Sequence, residues 1–188
     1  LTSPEITLER IKSIETIYLN IYYSFYDHDY FNNHGLNVDK LVMIDLNRRF
    51  IFRLKQYLFR FTIVECFKLF GKKENYQIAK FLNYEIRNST GEYKKSLIVI
   101  KNCSKSPSFK KTVDYITTLR TKHFAHLDIN VDDSGDTLIT IDDFKKILDY
   151  VFDFLVIVYK FKFKKNFQLD NSHEAFGHKL HLEKYKKN

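Results

Sequence analysis

Apolar residues return at three- and four-residue steps along most of the chain, the pattern of helices that bury one face. Leu8, Ile11, Ile14, Tyr18, Ile21, Tyr22 and Phe25 predict a first helix to about residue 26, opened by Thr2, Ser3, Pro4 and Glu5, which suit a cap and a first turn. The polar run DHDYFNNHG, ending at Gly35, predicts a connection to about residue 38. A second, longer helix follows from 39 to about 70, with Ile44, Phe50, Ile51, Leu54, Tyr57, Leu58, Phe61, Val64 and Phe67 as its apolar face and Gly71 as its stop. Asn75 is placed to cap a short helix over 76–87.

Residues 92–103, EYKKSLIVIKNC, carry β-branched residues of strand character, but a lone strand would have no partner in this chain, so a helix is expected. Ser106 and Pro107 start a further helix through Phe109, Val113, Ile116 and Leu119 that ends near His126. After an acidic loop, Thr140 and Asp143 form a capping-box pattern for a last helix to about residue 165. The pattern predicts an all-α bundle of about five helices in one domain over 1–165, followed by a basic, histidine-containing tail over 166–188.

Composition narrows the chemistry. Only 5 Gly and 2 Pro occur among 188 residues, too few breakers for a turn-dense β fold. No window of 18 uncharged apolar residues exists and residues 1–10 lack a signal-peptide core, so no membrane span and a cytoplasmic location are expected. Cys66 and Cys103 have neither zinc-knuckle nor redox spacing and are expected as free thiols. The net charge of +8 points to an anionic partner. It is unevenly spread: residues 45–73 carry eight Lys/Arg against two acids, while 127–143 carry six Asp and no base.

No cofactor and no metal site are expected. Asp128, Asn130 and Asp132 match the start of a calcium loop, but Asp133 stands where glycine is needed and Ile139 where glutamate is needed. In the tail, His173, Glu174 and His178 resemble a zinc-protease helix with the second histidine one position too late.

The densest cluster of functional side chains is LRTKHFAHLD, residues 119–128. Arginine grips a phosphodiester with two parallel donors, and histidine moves a proton at neutral pH. Together they suffice for metal-independent RNA scission: a base takes the ribose 2′-OH proton, arginine stabilises the pentavalent phosphorus and an acid protonates the departing 5′-oxygen. Arg120 and His126, six apart, would diverge by about 120° around an unbroken helix and about 9 Å along it. They can cooperate only where the helix unwinds or where two copies of the chain meet.

Arg120, five intervening residues and His126 fit the R-x(4–6)-H signature of the HEPN superfamily, all-helical RNases and nucleotide-binding domains. The string RTKHFAHLD resembles the AbiU-type, abortive-phage-infection branch, and the segment LNRRFIFRLKQYLFRFTIVECFKLFGKK resembles that branch's long helix. The resemblance spans residues 40–160 and is specific at 120–128. It implies a HEPN-like bundle with the motif at the end of the penultimate long helix, Arg120 as the phosphate-binding and transition-state residue, and His126 as general acid/base. It further implies a homodimer whose two Arg/His sets share a cleft, acting as an endoribonuclease in phage defence or as a toxin, with an antitoxin or regulatory protein as a further partner. The alternative is a HEPN-like module that binds RNA or a nucleotide, or dimerises, without cutting.

Thr121 stands where the family often has Asn, Asp or His. Lys122 and His123 are expected as supporting residues, His123 alternatively as a half-buried one, and Asp128 either orients His126 or belongs to the solvated acidic loop. Arg48, Arg49, Arg53 and Lys122 are the residues expected on the RNA backbone. Tyr and Phe side chains are available for base stacking, although their helix-face spacing assigns most of them to the core.

Overall fold

A computed structural model describes residues 5–33, 48–124 and 140–169, with backbone alone at 30, 32–33, 48–51 and 122–124. Among these the chain is an all-α bundle of six helices: α1 (Leu8–Asn33), α2 (Arg48–Phe70), α3 (Ile78–Asn88), α4 (Gly91–Cys103), α5 (Pro107–Thr118) and α6 (Ile141–Lys162). α1 lies along α2 and also touches α6; α4 packs on α3 and α6, and α5 on α2 and α6. The helix expected over 92–103 is α4, and with it the described helices number six against a bundle of about five. Its strand-like residues divide as a helix requires: Leu97 and Ile100 are buried while Ile98 and Val99 are exposed.

Two caps stand where the sequence placed them. The Ser106 side chain accepts a hydrogen bond from the Phe109 amide at 3.3 Å, with Pro107 in the first turn. Thr140 and Asp143 exchange both bonds of a capping box, at 3.2 Å in each direction. The Asn75 cap is not used, because α3 starts at Ile78 behind Gln77 and has no side-chain cap. Gly91 takes the left-handed φ of 63° that lets α4 begin directly after Ser89 and Thr90.

Two helix ends differ from expectation for packing reasons. α1 runs on to Asn33 because its last turns are packed: Phe25 stacks on Phe144 at 5.6 Å and the His28 ring lies 5.5 Å from Phe59. α6 stops at Lys162, where Lys164, at φ 54°, turns the chain and the Lys165 amide donates to the Tyr159 carbonyl at 3.0 Å. The residues after it fold back, so that Phe167 stacks on Tyr159 at 5.5 Å and also meets Tyr18 and Phe152. The rest of the predicted tail, 170–188, lies outside the described residues, as do the acidic loop and its calcium-like start.

The largest correction concerns α2. Its buried face is Thr62, Ile63, Glu65, Cys66 and Leu69, whereas the predicted face at Tyr57, Phe61 and Val64 is exposed. Both sides of this helix carry apolar residues, and polar anchors select between them. Ser24 of α1 and Thr62 share a hydroxyl–hydroxyl bond of 2.8 Å, and Glu65, buried, accepts from Asn20 at 3.1 Å and pairs with Lys68. A polar group buried without a partner would cost about 1–3 kcal/mol, so the helix turns the side whose polar residues find partners on α1.

A second buried carboxylate closes the far end of the bundle. Glu85 on α3 accepts from the Ile6 amide at 3.5 Å, the Tyr93 hydroxyl at 3.1 Å and Lys162 Nζ at 2.6 Å. Burial, and next the adjacent Glu85 charge, push the Tyr93 hydroxyl above its ordinary range.

Candidate functional site

The motif begins on α5. Phe109 fixes this helix by meeting Phe70 of α2 at 5.8 Å and Tyr150 of α6 at 4.7 Å, and Ile116 and Thr112 are buried beneath it. From Leu119 to Phe124 the helix widens into a π-helical turn. Threonine hydroxyls bond back along the helix here. The Thr121 hydroxyl donates to the Thr117 carbonyl at 2.7 Å and reaches the Thr118 carbonyl at 3.3 Å, while Thr117 itself bonds back to Val113 at 2.9 Å. Hydroxyls that occupy carbonyls one turn back compete with the amide ladder and bend helices. Short π turns of this kind occur frequently at functional sites.

Arg120 sits inside the π turn, half-buried, with its guanidinium carbon 4.7 Å from the centre of the Phe67 ring on α2. A cation over an aromatic face gains about 0.5–2 kcal/mol and loses rotamer freedom, so the guanidinium is held before any anion arrives. Gly71 secures the ring in turn. A Cβ at Gly71 would stand 2.9 Å from Phe67 Cε1 and 2.8 Å from both the Phe67 carbonyl and Glu74 Cγ. Its φ is not left-handed, so this glycine is required for space and not for conformation. The Arg120–Phe67–Gly71 stack was not foreseen from sequence. Its only sequence signals were a glycine at a helix end and an apolar residue one turn before it.

The other predicted site residues divide into three groups. Thr121 is exposed, but its hydroxyl is spent on its own helix. Lys122 and His123 belong to the π turn by backbone, and Arg48 and Arg49 to the first turn of α2, while their side chains lie outside the description; Arg53 is exposed on α2. His126 and Asp128 lie outside the described residues, so the structure brings neither to Arg120 nor away from it.

A cleft of about 280 Å³ lined by Leu69, Phe70, Phe109, Val113 and Tyr150 opens further back along α5, and its lining does not include Arg120. Among the described residues no group of three or more His, Cys, Asp or Glu is arranged to hold a metal ion, and no helix is long and apolar enough to cross a membrane. No family model, no curated protein and no solved structure matches the chain.

Proposed function

We propose that the chain is a metal-independent, HEPN-type endoribonuclease of phage defence or toxin type, working as a homodimer in the cytoplasm. The observation that carries this reading is the seat of Arg120. The arginine rests on Phe67 at the point where α5 leaves α-helical geometry, which supports a site at this helix end. Among the described residues it stands at the end of the helix before the last, which supports the resemblance.

In this mechanism His126 accepts the 2′-OH proton and the freed oxygen attacks phosphorus. Arg120 holds the non-bridging oxygens as their charge grows, and a protonated histidine, from the same or a second copy, gives a proton to the departing 5′-oxygen. The products are a 2′,3′-cyclic phosphate and a 5′-OH. Arginine is the right donor because it is permanently charged and planar. The reaction needs a 2′-OH, so DNA is not a substrate.

Cleavage of end-labelled RNA in EDTA tests this directly. The parent chain is expected to cut, and Arg120→Ala and His126→Ala each to lose 100-fold or more, on the order of the loss seen when a transition-state donor or proton carrier is removed. Full activity in both variants would sink the mechanism. RNA bound but never cut would identify the non-catalytic binding module instead.

A further inference from the structure

α2 turns toward solvent a face that the spacing rules assign to the core. At about 100° per residue, Arg53, Tyr57, Arg60, Phe61, Val64 and Lys68 fall within a sector of about 100° on this helix. Tyr57 is 64% exposed, Phe61 45% and Val64 38%. Arg53 and Arg60 are exposed beside them. Aromatic rings are among the side chains that folding most readily buries, and two in one helical sector, beside two arginines, form a surface with a use.

Charge selects the occupant. The acid on this helix, Glu65, lies buried on the opposite side, occupied by Asn20 and Lys68. A two-fold contact between two copies of this face would gather four arginines into one interface with no exposed acid of this helix to face them, which opposes association. A polyanion with accessible flat bases meets both features at once, since rings stack on bases and arginines take the phosphates. A duplex offers no open base faces, so the rings would go unused. The face also has a destination. Phe67, one turn beyond Val64, is the ring beneath Arg120, and Tyr57 to Phe67 spans about 15 Å of helix.

We propose that the Tyr57–Phe61 face of α2 is a docking path for single-stranded RNA, with the two rings stacking on bases, Arg53 on a phosphate, and the strand led along the helix to Arg120. The choice of RNA rests on the nuclease reading above; the single-stranded path rests on the exposed rings.

The test is fluorescence anisotropy with the full chain carrying His126→Ala, using one labelled RNA either single-stranded or annealed to its complement. The single strand is expected to bind more tightly than the duplex. Tyr57→Ala and Phe61→Ala should each weaken single-strand binding by roughly 5- to 150-fold, the range for loss of one stacked base, and Tyr57→Phe and Phe61→Trp should restore it. The ring variants should leave the salt dependence unchanged, whereas Arg53→Ala should lower the slope of log K against log salt by about 0.7. Unchanged single-strand affinity in both ring variants overturns the proposal. So does a shift to a smaller species in sedimentation velocity with RNA affinity retained, which would assign the face to a second copy. RNA held through Tyr57 and Phe61 but left intact by the parent chain defeats the nuclease reading and not the path. RNA cut normally, with the ring variants binding as the parent does, defeats the path and not the nuclease.

Discussion

On one side of α2, Ile63, Cys66 and Leu69 are sealed in the core; on the other, Tyr57, Phe61 and Val64 face outward beside Arg53 and Arg60. Hydrophobicity does not separate the two sides. The buried side holds a threonine and a glutamate, and the exposed side holds two aromatic rings. They differ in what each polar group can reach. Thr62 and Glu65 find Ser24 and Asn20 on α1, whereas arginines on that side would have to give up water without return. Burial of this helix was settled by its least apolar members.

The comparison can be broken from the buried side first. Leu69→Ala should cost about 2–5 kcal/mol in denaturant unfolding, the range for a fully enclosed leucine. A loss under about 1 kcal/mol would mean that this side is not the core side. Next in size is Gly71→Ala, expected to destabilise by about 1–3 kcal/mol, because its Cβ would meet the Phe67 backbone at 2.8 Å. The same substitution should lower RNA cleavage beyond its effect on folding, since it displaces the ring beneath Arg120. Cleavage that survives while stability falls would separate Arg120 from its seat.

A smaller effect is expected at His28, whose ring packs on Phe59. Burial lowers its pKa below the ordinary 6.5; Asp29 opposes this in part and Lys55 adds to it. The unfolded chain therefore takes up the proton first as pH falls. Stability from neutral His28 is complete above about pH 6.5 and is lost as pH drops toward the folded pKa. Thermal melts between pH 7 and 5 should show Tm falling with pH, and His28→Gln should flatten that slope; an unchanged slope would refute the assignment. The smallest change belongs to the exposed side. Tyr57→Ala and Phe61→Ala should each alter stability by no more than about 0.5 kcal/mol, as surface substitutions do, and a larger loss would show that the face is covered.

Much of the scaffold was legible. Ser106–Pro107 and Thr140–Asp143 announced two helix starts through local hydrogen-bonding chemistry that needs no tertiary context, and both bonds are made. Periodicity found α2 and placed Phe67 against the core, but assigned Tyr57, Phe61 and Val64 to the buried side, because apolar residues surround most of the helix and the deciding partners, Asn20 and Ser24, sit on another helix. The polar run after Tyr26 looked like a break, yet α1 continues where Phe25 and His28 are held by Phe144 and Phe59. At the candidate site the helix geometry called for an unwound end at His126 or a second copy of the chain; the helix leaves α geometry at Leu119–Phe124, and His126 lies outside the described residues. The π turn itself was not legible: the Thr121 hydroxyl bonds back to the Thr117 and Thr118 carbonyls, but threonines elsewhere in the chain make the same bond inside regular helix. The Phe67 seat was not legible, since it depends on how two helices meet.

Order of synthesis gives α6 a role beyond packing. It supplies nine buried residues, and its Tyr159 hydroxyl reaches Glu15, 144 positions earlier, at 2.5 Å. At roughly 5–20 residues per second, on the order of ten seconds pass on the ribosome between the emergence of α1 and that of the helix that completes it. Until then Phe25 lacks Phe144 and the carboxylate of Glu85 lacks Lys162. A chain halted before residue 141 would carry the whole of the Arg120 turn on a bundle that has not closed.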